Sequence, residues 1–415
     1  MALVRAERRL RRPPEEVTRR QLLALRQVLH HASSAVPFFQ DQAAYRWRPE
    51  SLAGLSELPI TERADLAKLP LEARRGTPVS ERTLVKHTSG SSGQYLTVEQ
   101  GARGAWWQGL LALRRNRARG VQPWELTAAI RVGVDERPRL GLLGSLARRT
   151  AVLDSGAEPA ALAAALAALQ PVALSGFGHL LLDVGRHLGS TVHPRVLATG
   201  GQVLAQTDRQ ALEEVFGARP LDLYGAVEVG SIAWQCAAAD LYHVDHDSVI
   251  VEVVDHRGAP VRPGEAGEVL VTTLWNPHMP FIRYRLGDQA RMADRACRCG
   301  ATGPAIEEIE GRKMDRFVDE DHRPVASSRL FLSSQLSEVL PWVSRYRAVQ
   351  DEWGRVTVEV VPVKALPSEA VARIVEGYRS VLGPSVPVSV VIVDDLPIEP
   401  SGKLRQFVSR AGTRA

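Results

Sequence analysis

The sequence predicts an α/β protein in two parts, a large layered N-terminal part and a small α+β unit at the C-terminus. Three observations predict it. Between Ala160 and Gly201, helical and strand patterns alternate, from an alanine-rich run through "PVALSG" and "GHLLLDVGRHLG" to "HPRVLATGG". Alternation of this kind layers helices on parallel strands. The stretches "SVIVEVVD", "GEVLVTTL" and "DQARMAD" are short and separated by turn residues, which predicts antiparallel, turn-linked strands. After "GRKMDRF" the pattern restarts as "RVTVEVVPV", a helix over Ser368 to Leu382, and "PVSVVIVDDLP". That unit of about a hundred residues is close to the lower mode of domain size.

In chain order, the residues to about Ser80 read as helical, with apolar residues three and four apart in "RRQLLALRQVLHHA". "TLVKH" reads as a strand leaving into the hydroxyl-rich loop "HTSGSSGQYL", and "GAWWQGLLALRRNRARG" as the helix beyond it. At 415 residues the chain has room for two or three domains of roughly 150 residues each. Its 45% hydrophobic and 24% charged residues describe an ordinary soluble globular protein.

No apolar run of about 18 residues predicts a transmembrane helix. The start "MALVRAERRLRRPPEE" has no apolar stretch behind its basic residues, so it does not read as a secretory signal, and a cytoplasmic location is expected. The net charge of +5 comes from arginines spread among acids. Without a nucleic-acid-binding signature, neither nucleic acid nor membrane is expected as a partner. Lysine accounts for five of the 52 basic residues: Lys68, Lys86, Lys313, Lys364 and Lys403. Lysine and arginine are not interchangeable at a reacting centre, so each of these positions draws attention.

Five stretches carry chemistry. In the loop from Thr88 to Gly93, glycine-permitted backbone turns and the hydroxyls of Thr88, Ser89, Ser91 and Ser92 suit phosphate oxygens. It does not fit the lysine-bearing pattern of the common nucleotide-binding loop, and taken alone it reads equally well as a serine–glycine surface loop. "LDLYGAVEVG" sets Glu228 after a tyrosine–glycine turn, where a carboxylate can serve a magnesium-bound nucleotide or simply face solvent. "PFIRYRLGDQ" offers Asp288 to ribose hydroxyls, or as a turn residue. "EGRKMD" puts an arginine at the junction of the two parts, and "EPSGKLRQ" puts Lys403 on a serine–glycine turn.

Taken in this order, "TSGSSG", "YGAVEVG", "IRYRLGD", "EGRKMD" and "PSGKLR" resemble the adenylate-forming superfamily of acyl-CoA ligases, luciferases and carrier-loading adenylation domains. Within it the chain is most similar to the phenylacetate-CoA ligase branch and the capsule-biosynthesis-type proteins beside it, from about Pro37 to the C-terminus.

The resemblance implies an N-terminal ATP- and acid-binding domain over residues 1–312 and a mobile lid over residues 313–415. It implies that Thr88, Ser89, Gly90, Ser91, Ser92 and Gly93 wrap the β- and γ-phosphates, and that Gly200, Gly201 and Gln202 border the adenine ahead of Tyr224 and Gly225. Glu228 would ligate magnesium, Asp288 would hold the ribose and Arg312 would add a nucleotide contact. Lys403 would bridge the substrate carboxylate and the α-phosphate. The acid would lie among Trp107, Phe177, Gly178 and Ala226, with Trp106 beside them. Aromatic walls over small residues suit a flat aromatic acid. Adjacent helical positions also require at least one of Trp106 and Trp107 to be core.

The chain departs from the family pattern at three positions. Gln94 stands where a lysine usually ends the phosphate loop, Val227 replaces a hydroxyl residue, and Met314 occupies the hinge between Lys313 and Asp315. These departures bear on the rate of adenylation and on lid rotation more than on ATP binding.

The implied reaction is activation of an aryl or arylacetic acid by ATP and Mg²⁺, then transfer to coenzyme A. Transfer to a carrier protein, an amine or a glycan precursor is the alternative, as is a degenerate member that binds nucleotide without turnover.

Three cysteines make a disulfide framework unexpected, which suits a reducing compartment. Cys236-x6-His243 and Cys297-x-Cys299 supply three thiolates and an imidazole, a closed tetrahedral zinc set, with His246 as a spare imidazole. The spacing is not a standard finger, so buried or incidental thiols fit the residues as well. A similar knot in parts of the ligase branch implies structural zinc clipping two hairpins.

Overall fold

In the computed structural model, which describes residues 2–80, 83–87, 96–131, 149–189, 191–201, 204, 206–312, 317–325, 330, 339, 342–397 and 404–411, the chain divides into two units interleaved along the sequence. The first comprises Met1–Leu126, Gly133–Thr150 and Leu221–Ile309; the second comprises Thr127–Val132, Ala151–Pro220 and Glu310–Ala415. The α/β class is as predicted: parallel strands with helices in one unit, antiparallel hairpins in the other.

The sheet of the first unit runs in the order Val249–Val254, Ala266–Thr273, Tyr284–Met292, Ala305–Arg312, Tyr242–Val244, Gly230–Gln235, Pro220–Ala226. Its pairs are antiparallel, for example Val249 opposite Thr273 through Val254 opposite Glu268. One face buries Ile232, Val249, Val253, Val269, Val271 and Ile306, the alternate positions that a period-two strand turns inward.

Helix Pro14–Ala35 buries Val17, Gln21, Leu25, Leu29 and Ala32, one stripe at the helical repeat. The polar member of the stripe is satisfied, since Gln21 Nε2 donates to the carbonyls of His246 (2.9 Å) and Val249 (3.2 Å). The expectation of helix to Ser80 holds only to Ala35. Beyond it the chain forms pieces of four to six residues, among them Pro37–Gln40, Leu52–Glu57, Arg63–Ala67 and Leu71–Arg74. Pro37, Pro49, Pro59 and Pro70 interrupt it, because each removes a backbone donor and pushes the preceding residue out of the helical region.

Helix Ala102–Ala118 carries a fully buried charge. Arg114 is 0% exposed and donates from Nη2 to Asp245 Oδ1 at 2.7 Å and from Nη1 to Asp247 Oδ1 at 2.8 Å. Arg115 and the Ser231 hydroxyl load the other Asp245 oxygen at 3.3 and 2.6 Å, and Arg9 donates to Asp247 at 3.0 Å. Burial alone would push the Arg114 guanidinium down, but Asp247 and Asp245 outweigh it and hold it above its ordinary value. The cluster thereby ties helices Ala2–Arg9 and Ala102–Ala118 to the strand ends at Ser231 and Asp245.

In the second unit, Thr127–Arg131, Ala173–Gly176 and Val196–Gly200 pair in parallel. Helices Pro159–Leu169, Gly178–Leu188 and Gln206–Phe216 contribute Leu162, Leu166, Leu181, Val184, Leu212 and Phe216 to the core with these strands.

The C-terminal residues form a four-stranded sheet ordered Val388–Ile392, Val356–Pro362, Val343–Gln350, Phe407–Ser409, with helix Ser368–Leu382 packed through Ala370, Ile374, Tyr378 and Leu382. That helix has the bounds the sequence predicts. Gln406 Nε2 reaches Asp208 Oδ2 at 3.3 Å, and burial pushes the Asp208 carboxyl up to about 6. No helix among the described residues is long and apolar enough to cross a membrane.

Candidate active site and metal centre

"LDLYGAVEVG" folds as the end of strand Pro220–Ala226, a turn at Val227–Val229 and the start of strand Gly230–Gln235. A Cβ on Gly225 would meet the Gly230 carbonyl oxygen at 2.6 Å, and backbone has little room to give way. Gly230 takes φ +72°, a conformation that side chains disfavour. These glycines allow a turn tight enough to carry Glu228 inward, where it is 8% exposed.

"FIRYRLGD" approaches the same turn from strand Tyr284–Met292. Arg283 enters this strand with φ +46°, which costs a non-glycine residue about 1–3 kcal/mol. Its guanidinium compensates through Glu252 (3.1 Å) and the carbonyls of Leu58 (2.6 Å), Ser56 (3.1 Å) and Gly258 (2.9 Å). Gly287, at φ +82°, lies beside a register shift in the pairing between Glu268 and Leu270.

The two motifs are tied at two points. Tyr224 donates its hydroxyl to Asp288 Oδ2 at 2.7 Å, and Tyr284 donates its hydroxyl to Glu228 Oε1 at 3.0 Å, across 64 and 56 residues of sequence. A third group arrives from the N-terminal segment, with Arg63 Nη1 lying 3.4 Å from Glu228 Oε1. The sequence motifs point to Tyr224, Glu228 and Asp288 but not to Arg63 or Tyr284. Tyr284 stands inside "IRYRLGD", so a signal for it exists; Arg63, 165 residues before its partner, gives none locally.

Other predicted site residues are placed less completely. The loop Thr88–Gly93 with Gln94, and also Gln202, Lys403, Lys313, Met314 and Asp315, lie outside the described residues. The strands flanking the loop, Leu84–His87 and Thr97–Gln100, pair antiparallel with His87 opposite Thr97. Gly201 follows strand Val196–Gly200 with φ +87°, and Arg312 ends strand Ala305–Arg312. Ala226 packs on the core of the first unit.

Trp106 is 50% exposed, so it is surface rather than core. Trp107 is half-buried, donates its indole N–H to Ser248 Oγ at 3.0 Å and lies under the Arg9 guanidinium at 5.3 Å. Gly104 on the same helix is a glycine for a steric reason, since a Cβ there would meet the Trp275 ring at 2.4 Å. In the second unit, Phe177 stacks on His179 at 5.9 Å, and Gly178 begins the following helix, buried.

The cysteines converge. Cys236 and His243 stand at the end of one hairpin, formed by strands Gly230–Gln235 and Tyr242–Val244. Cys297 and Cys299 lie in the connection between Tyr284–Met292 and Ala305–Arg312. The pairing of His243 with Ala305 joins the two. Cys236 Sγ is 3.7 Å from Cys297 Sγ, Cys299 Sγ is 3.2 Å from His243 Nε2, and all four ligand atoms lie within 4.8 Å of one another; His246 is not among them.

Sulfurs each about 2.3 Å from one tetrahedral ion stand about 3.8 Å apart, so this donor set fits zinc. The backbone N–H groups of Ala238 and Ala301 donate to Cys236 and Cys299 Sγ at 3.4 Å each, as thiolates require. Burial would raise the Cys236 thiol, but His243 and the Ala238 N–H outweigh it and hold the thiol below its ordinary value.

No protein-family model matches the sequence. In fold the chain is that of the adenylate-forming CoA ligases. It superposes on a 2-hydroxyisobutyryl-CoA ligase in the postadenylation state, in complex with R3-HIB-AMP, with a TM-score of 0.79 at 20% identity, covering 98% of this chain and 92% of that one. An anthranilate CoA ligase in complex with anthranoyl-AMP matches with a TM-score of 0.56 at 16% identity, over 77% of this chain and 65% of that one. In sequence the chain is homologous to the phenylacetate-coenzyme A ligases. It is 28% identical to the Escherichia coli (strain K12) enzyme over 326 residues, 73% of each chain.

Proposed function

We propose that the chain is an AMP-forming acid–thiol ligase that activates an aryl or arylacetic acid and transfers it to coenzyme A. The observation that carries this reading is the double tie of Tyr224 to Asp288 (2.7 Å) and Tyr284 to Glu228 (3.0 Å). It joins a carboxylate suited to ribose hydroxyls to one suited to a metal-bound phosphate. The homology to phenylacetate-coenzyme A ligases over 326 residues supports the aryl acid and the thiol acceptor.

In the first step a carboxylate oxygen bonds to the α-phosphorus of ATP as pyrophosphate leaves. In the second, the coenzyme A thiol loses its proton, its sulfur bonds to the acyl carbon, and AMP departs. On this reading the domain boundary falls at Arg312/Lys313. Thr88–Gly93 grips the β- and γ-phosphates, Gly201, Gln202, Tyr224 and Gly225 border the base, Asp288 and Arg312 hold the nucleotide, and Lys403 bridges the two reacting anions. Trp107, Phe177, Gly178 and Ala226 are the proposed acid contacts. Glu228 would hold magnesium, which neutralises charge on the leaving phosphates. With Gln94 in place of a loop lysine, the ion and Lys403 carry more of that task. Acid-dependent pyrophosphate release across a panel of aryl, arylacetic and aliphatic acids, with and without coenzyme A, tests the reading. Release and thioester formation are expected with the aromatic acids; no release with any acid contradicts it.

We also propose that Cys236, His243, Cys297 and Cys299 hold structural zinc. Four protein ligands leave no open position for catalysis. Elemental analysis is expected to give about one zinc per chain, and Cys297→Ser to lower the melting temperature before it alters turnover. Zinc-free protein with three readily alkylated thiols contradicts this.

A further inference from the structure

The segment ahead of Arg63 is fastened to the strand that carries Tyr284. Thr61 N–H donates to the Arg283 carbonyl and Arg285 N–H donates to the Thr61 carbonyl, both at 3.1 Å, so the two bonds bracket Tyr284 in a parallel bridge. Thr61 Oγ1 adds a bond to the Ile282 carbonyl at 2.7 Å, and Arg285 Nε donates to Glu62 Oε1 at 2.8 Å. Two residues beyond this clamp, Arg63 opens helix Arg63–Ala67.

Arg63 and Tyr284 therefore arrive together, and they arrive on the same atom. Both donate to Glu228 Oε1, at 3.4 and 3.0 Å, whereas no donor among the described residues meets Oε2. Two donors, one from the start of a helix and one from a strand, hold that carboxylate oxygen in place. The remaining oxygen is the one available to a cation, and Mg²⁺ demands tightly defined oxygen geometry.

We propose that Arg63, with Tyr284, is a positioning residue for Glu228: it holds Oε1 so that Oε2 is the oxygen presented to a nucleotide-bound divalent cation. This inference rests on the proposed reading of Glu228 as a metal ligand. It assigns a task to the segment "PITERADL", whose role is to deliver a guanidinium to a carboxylate 165 residues away.

The test compares Arg63→Ala, Arg63→Lys, Tyr284→Phe and Glu228→Gln in the full chain. Mn²⁺ binding in the presence of a non-hydrolysable ATP analogue is followed by electron paramagnetic resonance, alongside melting temperature and the Mg²⁺ dependence of pyrophosphate release. Partners that orient a metal ligand are typically worth about 10–100-fold in metal affinity. Arg63→Ala is expected to raise the half-saturating Mn²⁺ and Mg²⁺ concentrations about tenfold at little change in melting temperature. Arg63→Lys should restore part of that loss, and Tyr284→Phe should shift both in the same direction. A purely structural arginine would instead lower the melting temperature and leave half-saturation in place. If Glu228→Gln raises the metal requirement and the Arg63 and Tyr284 variants do not, the inference falls alone. If none of the four moves it, the reading of Glu228 falls and takes the inference with it. Should Arg63→Ala fail to fold, Arg63→Lys and Tyr284→Phe decide between the same outcomes.

Discussion

Lys403→Ala is expected to slow acyl-adenylate formation by about 10²–10³ while largely sparing thiolysis of a supplied acyl-adenylate. Attack of a carboxylate on the α-phosphate brings two anions together and builds charge in the transition state. A single preorganised donor at such a point is worth about 3–4 kcal/mol. A compact ammonium suits it better than a guanidinium, whose planar fork would favour one partner, and this chain retains lysine at only five of its 52 basic positions. The residues just beyond Lys403 are anchored, with Leu404 and Phe407 buried and Gln406 bonded to Asp208 at 3.3 Å. The asymmetry between steps follows from the proposed lid, which carries the lysine away before the thiol attacks. Measuring the half-reactions separately checks this. Equal losses in both steps would make Lys403 structural, and no loss in either would remove it from the site.

The second large effect is on stability. Asp245→Ala is expected to cost about 3–5 kcal/mol, because it strips a partner from a guanidinium that cannot reach water. Arg114 and Asp245 are both 0% exposed, 2.7 Å apart, and Asp245 also accepts from Arg115 and Ser231. Asp247 would then be the one carboxylate shared by Arg114 and Arg9, and Arg115 would lose its Asp245 partner. The first unfolding transition in denaturant is the readout; a change below about 1 kcal/mol, the range of an exposed pair, would contradict the account. The cluster also sets a pH response. Burial alone would raise Asp247, but Arg114 outweighs it and holds the carboxyl below its ordinary value. Its contribution is present above the unfolded-state value and is lost as pH falls through the lowered folded-state value.

Much of this architecture is legible because it is written in local period. The helix over Ser368–Leu382 and the alternation behind the parallel strands follow from apolar spacing alone. The antiparallel hairpins follow from short strands and turn residues. The segment after Ala35 misleads because apolar spacing continues through prolines that forbid a continuing helix. Of the two adjacent tryptophans, Trp106 is the one at the surface. The buried positions of its helix are Gly104, Leu110, Leu111 and Arg114, a stripe that includes the longest charged side chain because Asp245 and Asp247 wait beneath it. Such pairings have no local signature.

The site divides along the same line. Cys236, His243, Cys297 and Cys299 can be nominated by residue type, yet what unites them is the pairing of His243 with Ala305 across 62 residues of chain. Tyr224, Glu228 and Asp288 are legible through family motifs. Arg63 is not, because its position is set by the hydrogen bonds of Thr61 to a strand more than two hundred residues on.

The most direct test of the central claim follows an oxygen atom. If the acid is activated as an acyl-adenylate, the bond from carboxylate oxygen to α-phosphorus survives thiolysis and leaves with the nucleotide. Turnover of phenylacetate labelled in both carboxylate oxygens with ¹⁸O, in the presence of ATP, Mg²⁺ and coenzyme A, should yield AMP carrying one labelled oxygen, together with unlabelled pyrophosphate and the thioester. Label in inorganic phosphate with ADP as the nucleotide product, or thioester formed beside unlabelled AMP, would contradict the account.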